Sequence, residues 1–85
     1  MSSEKPVPTI EQMKEFEARA EAAYTAMYDA RSYEEKDLKD DACFYLARAA
    51  EIADALGLTD EAARLRARSD NISGVYNSQF RHIGR

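Results

Sequence analysis

Few residues in this chain have the type and spacing that chemistry requires. His82 is the single histidine and lies between Arg81 and Arg85. That leaves no His–His pair for a metal and no Ser-His-Asp set. Cys43 is the single cysteine, so it forms no internal disulfide and no zinc cluster. No histidine neighbours it in sequence, and Asp40 and Asp41 would raise a thiol's pKa rather than lower it. Carboxylates are plentiful, at Glu11, Glu15, Glu34, Glu35, Asp40 and Asp41. Acid–base work needs a pocket that separates two carboxyl pKa values, and these positions fall on polar helix faces. A di-iron bundle needs Glu-x-x-His, and no such motif occurs. The expectation is a protein that is not an enzyme and carries no metal or cofactor.

Recognition has better material. In Cys43-Phe44-Tyr45-Leu46 four consecutive apolar residues cover all sides of a helix. Tyr45 and Leu46 belong to the core-facing stripe, as does Phe16 in the helix before, so Phe44 must point elsewhere. Tyr28 lies beside its own helix's stripe, and Tyr24 is one turn away, so the two can form a paired aromatic surface. Exposed aromatics suit protein contacts, since each buries a large area. Phe44, Tyr28 and Tyr24 are therefore candidate partner-binding residues, and Arg64 and Arg68 of the third helix join them as charged candidates. A pocket between helices lined by Tyr24, Tyr45 and Tyr76 is a further option, although so small a bundle rarely holds one.

These residues must be positioned by helices. Prolines occur only at positions 6 and 8, and nothing after them breaks a helix until Gly57. Residues 1–8 read as a flexible tail and 9–85 as one helical domain. Thr9 with Gln12 has the spacing of a capping box. Met13, Phe16, Ala20, Ala23, Met27 and Ala30 then form one helical stripe. In the second helix Leu38, Ala42, Tyr45, Ala49, Ile52 and Leu56 repeat the pattern, widened by Leu46, Ala50 and Ala53. Ser32 with Glu35 offers one start for it, and Asp37 with Asp40 a later one. The first turn is placed near residues 32–37, and one unbroken helix is the alternative. Gly57 and Leu58 suit a Schellman turn, and Thr59 would cap the third helix. Its stripe is Ala62, Leu65, Ser69, Ile72 and Tyr76, with Phe80 and Ile83 near the end. Asn71, Ser73 and Gly74 favour a bend or fraying, and Gly84 ends the element. The fold class expected is all-α, an antiparallel three-helix bundle with helices at about 9–31, 35–56 and 59–82.

Tyr45 to Tyr76 resembles a tetratricopeptide-type segment, the second helix of one repeat, its turn and the first helix of the next. The residues that carry this are Ala49-Ala50-Glu51-Ile52-Ala53, Leu56-Gly57, Glu61-Ala62 and Ile72-Ser73-Gly74-Val75-Tyr76. The resemblance implies antiparallel helix pairs and a concave protein-binding surface. The chain departs from the pattern by about seven extra residues, Lys36 to Ala42, and by lacking a glycine after Tyr76. Stable stacking of such repeats takes roughly three of them.

Charge separates the two ends. The 85 residues carry −4 in total; residues 1–56 hold 13 acids and 7 bases, while 57–85 hold 3 acids and 5 bases. Arg64 and Arg68 share a face, and Arg66 points away from it. Pairing of these arginines with the acidic helices, within or between chains, is one reading. A regulatory or nucleic-acid-associated role through Arg64, Arg68, Arg81 and Arg85 is the alternative, weakened by the acidic balance. Residues 1–8 lack the apolar core of a secretory signal, and no apolar run approaches the roughly 18 residues of a membrane span. A chain of this size buries only about 60–65% of its unfolded surface, so stability is marginal without help. The expectation is a small cytoplasmic helical interaction module, a homodimer or a subunit of a larger complex. Its partner would be a protein rather than a membrane, a nucleic acid or a small-molecule substrate.

Overall fold

In a computed structural model, described here for residues 8–30 and 34–80, three helices follow one another: α1 Ile10–Met27, α2 Glu35–Ala55 and α3 Thr59–Val75. A π-helical turn, Tyr76–Phe80, extends α3. The fold is an all-α, antiparallel three-helix bundle. α2 is the central element: α1 packs along one side and α3 along the other.

α1 starts as its capping box dictates. The Gln12 amide donates to the Thr9 hydroxyl at 3.1 Å, and the Thr9 amide donates back to Gln12 Oε1 at 3.2 Å. The helix ends at Met27, four residues before the expected Arg31. Tyr28, Asp29 and Ala30 turn off through bonds to the carbonyls three residues back, the tighter spacing common at helix ends. α2 begins at Glu35, so the later Asp37 start is not used. Ser32, and the capping box drawn on it, lie outside the described residues, as do residues 1–7 of the tail expected at 1–8 and, at the other end, Arg81, His82, Ile83, Gly84 and Arg85.

The joint between α2 and α3 is a full Schellman motif. Gly57 takes φ +78. Its amide donates to Asp54 at 3.0 Å, and the Leu58 amide reaches back to Ala53 at 2.8 Å. This turn corrects one expectation. The Leu58 carbonyl accepts from the Ala62 amide at 3.0 Å, so Leu58 is the N-cap and Thr59 already lies inside α3 without capping it. Asp60 and Glu61 occupy the positive first turn of that helix.

Alanine dominates the core. Ala20, Ala42, Ala49, Ala50, Ala53 and Ala62 are buried, and the largest fully buried side chains are Met27, Leu46, Leu65 and Ile72. Small residues allow close helix approach but supply little apolar area, at roughly 25 cal/mol per Å². Phe16 and Tyr45 sit at the core's rim, half-buried, rather than within it. α3 runs unbroken past Asn71 and Ser73 to Val75 before widening into the π turn. Eight α-helical residues beyond Ile72 would rotate Phe80 about 80° off the buried stripe, and the wider π turn reduces that rotation. Phe80 is accordingly buried.

Candidate interaction surface

The candidate residues separate into three places. On the outer face of α2, Phe44 is 58% exposed, the most exposed large apolar residue among those described. Four residues in a row cannot share one helix face, and Leu46 takes the core position while Cys43 turns towards α3. The Phe44 ring lies edge-on to Tyr45 at 5.7 Å, and Tyr45 stacks on Phe16 of α1 at 6.1 Å. An aromatic band thus runs from the α1–α2 seam onto the outer face of α2. Arg19 caps the band over the Phe16 ring at 5.9 Å.

Beside this band a cleft of about 380 Å³ opens between the start of α1 and the end of α2. Phe16 and Ile52 line it, and Arg19 and Arg48 stand on its two walls. Each arginine makes a single contact to a carboxylate on its own helix, Arg19 to Glu15 at 2.9 Å and Arg48 to Glu51 at 3.2 Å. A guanidinium has five donors, so each of these half-exposed arginines keeps donors that its one carboxylate contact does not use.

Tyr24 and Tyr28 form the second place, at the far end of α1. Their hydroxyls are 3.2 Å apart and their rings meet edge-on at 5.6 Å. That hydrogen bond holds the Tyr28 phenol above its usual pKa. Tyr28 stays 54% exposed, yet Phe80 packs against its ring at 4.8 Å. Tyr24 is half-buried under the Arg68 guanidinium at 4.9 Å. The pair is therefore partly covered by α3 and its extension.

The third place is the ladder between α1 and α3. Arg64 grips both oxygens of Glu17 at 2.7 and 3.0 Å and also holds Glu61. Arg68 grips both oxygens of Glu21 at 2.7 and 2.8 Å. Because both steps are four residues, α1 and α3 run parallel, one turn per rung. The fork-to-carboxylate bonds hold Glu17 and Glu21 below the usual carboxylate range, against the opposing effect of burial, and push Arg64 and Arg68 further up. Arg66 points the other way and reaches Asp54 of α2 at 2.6 Å.

Several sequence readings change here. Tyr24, Tyr45 and Tyr76 do not share a pocket: Tyr24 lies on the α1–α3 side, Tyr45 against Phe16, and Tyr76 under the Lys39 ammonium at 5.1 Å. Arg64 and Arg68 are engaged within the chain. Cys43 is half-buried, with Sγ 3.4 Å from the Ser73 hydroxyl and 3.7 Å from the Ser69 carbonyl. Ile52 was expected only as a member of the core stripe, and neither Arg19 nor Arg48 was singled out. The last of these had a signal, since it stands one turn beyond Phe44.

Among the described residues no three His, Cys, Asp or Glu side chains gather as a metal site would require, and no helix is long and apolar enough to cross a membrane. No protein-family model, curated protein or solved structure matches this chain.

Proposed function

We propose that this protein is a small helical protein–protein interaction module, self-associating or seated in a larger complex, that makes contact through the outer face of α2. The observation that carries this reading is Phe44, 58% exposed at the middle of α2 and backed by Tyr45 and Phe16. A ring held from behind loses little side-chain freedom when a partner covers it, which favours affinity. The alanine-rich core adds support, because a chain with so little buried bulk gains from area buried against another surface. The α2–α3 hairpin is read as tetratricopeptide-like in geometry, supported by its small-residue stripe and Schellman turn. A nucleic-acid role is not preferred, since Arg64, Arg66 and Arg68 all pair with carboxylates of this chain.

Sedimentation and native mass spectrometry of the full chain test the reading. The expected result is assembly that rises with concentration or a co-purifying protein, lost in Phe44→Ala while helix content stays. A strict monomer with no partner, or a Phe44→Ala variant that loses fold and assembly together, would remove it.

A further inference from the structure

We infer that the outer face of α2 pairs with the same face of a second copy of this chain, antiparallel, about a two-fold axis beside Phe44. The inference rests on the interaction reading above and names its partner. Asp41, Phe44 and Arg48 are spaced by three and four residues, so they form one row along the helix, and all three are exposed. The row has a negative end, an aromatic centre and a positive end. In an antiparallel pair centred on Phe44, the two rings meet near the axis. Asp41 then faces the partner's Arg48, and Arg48 faces the partner's Asp41. This is the self-complementarity that an isologous contact requires. A parallel pair would set like charges opposite each other at both ends. A partner of a single sign would gain at one end of the row and lose at the other.

The ion pairing within the chain leaves these groups ready to exchange. Asp40 already holds Lys36 at 2.8 Å and Lys39 at 2.9 Å. Its neighbour Asp41 makes no ion pair among the described residues. Arg48 has only its 3.2 Å contact to Glu51, with both side chains more than half exposed. By contrast, Arg64 and Arg68 are closed by two-bond forks. One turn further out, Asp37 comes opposite the partner's Glu51. That like-charge approach limits the strength of the pair and makes it concentration-dependent.

Charge exchange on the full chain tests the arrangement. Wild type should dimerise at high concentration. Asp41→Arg gives a row with two positive ends, and Arg48→Glu gives one with two negative ends. Each variant alone should dissociate at least about tenfold more readily. An equimolar mixture should recover a one-to-one heterodimer, resolved by mass. Both sites are exposed, and far-UV circular dichroism confirms that each variant is folded. Single variants that associate like wild type, or a mixture no tighter than its components, would overturn the antiparallel pairing and leave the interaction reading standing. A wild-type monomer carrying a foreign protein would do the same. A wild-type monomer with no partner would remove both.

Discussion

α1 meets its two neighbours through different chemistry. Along α2 the seam is apolar: Phe16 stacks on Tyr45, Met13 and Ala20 are buried, and no ion pair crosses it among the described residues. Along α3 two arginine forks close on Glu17 and Glu21, and Arg68 also covers Tyr24. Apolar burial is neither screened by salt nor titrated by mild acid, whereas exposed and half-exposed ion pairs are weakened by both. The α1–α2 hairpin is thus the unconditional part of the fold. α3 is attached to α2 by its own apolar stripe, and its position against α1 is set by the two arginine forks together with the packing of Phe80 on Tyr28. The contact face proposed for Phe44 lies on the hairpin, on the part that conditions disturb least.

The largest effect is expected where the comparison collapses, at the residue that serves the whole core. Leu46 is fully buried at the centre of α2's buried arc. Leu46→Ala should cost about 2–5 kcal/mol, by lost transfer energy and the cavity left behind. A domain of this size has roughly 4–13 kcal/mol in total. Urea unfolding followed by circular dichroism should show the midpoint fall steeply for all helices together. A loss below about 1 kcal/mol would mean that the two seams are independent and Leu46 serves neither.

The acid response should separate the seams. Glu17 and Glu21 have folded pKa values below their ordinary 4.5, through hydrogen bonds from Arg64 and Arg68 respectively. The unfolded chain therefore binds protons first as pH falls. Their contribution is fully present above about pH 4.5 and is lost as pH drops through the lowered folded values. Both carboxylates are partly exposed, so solvent screening keeps each contribution to about 1 kcal/mol or less. Glu17→Gln with Glu21→Gln should flatten stability between pH 5 and 3 relative to wild type, an interval set on the order of the carboxylate titration. Hydrogen exchange should show α3 opening first in acid or high salt, with α1 and α2 still protected. Equal loss of protection in all three helices would contradict the distinction.

How much of this was legible in the sequence depends on the range of the interaction. Thr9 with Gln12 and Gly57 with Leu58 are local patterns, closed by bonds within a few residues, and both form as their residue types dictate. The exposure of Phe44 was legible for the same reason, since a run of four apolar residues exceeds what one face can bury. The end of α1 at Met27 was not, because no glycine or proline marks it. Thr59 was misread since the preceding turn, rather than its own hydroxyl, decides which carbonyl begins α3. Charge asymmetry foretold that the arginines would pair, but the rungs Glu17–Arg64 and Glu21–Arg68 depend on how two turns bring α1 and α3 into register. The π turn has no sequence mark beyond the poor helix formers before it, and its outcome is visible only in Phe80 meeting Tyr28.

The smallest effects should come from the glycines that bracket α3, and they should have opposite signs. At both positions an added Cβ would meet nothing within 4 Å, so crowding decides neither. Gly57 holds φ +78, where an L-residue is disfavoured by roughly 1 kcal/mol. Gly57→Ala should therefore destabilise by about that amount and loosen the joint that delivers α3 to α2. Gly74 lies inside α3 without a positive φ, and there alanine reduces the unfolded chain's freedom and is the better helix former. Gly74→Ala should stabilise by about 0.5–1 kcal/mol. Melting temperatures of the two variants, read with hydrogen exchange in α3, give the comparison. Both substitutions act on the conditional helix, so the α1–α2 seam and the assembly attributed to Phe44 should persist in each. If Gly74→Ala instead destabilises, the π turn depends on the weakness of Gly74, and Phe80's seat against Tyr28 is then part of what fixes α3.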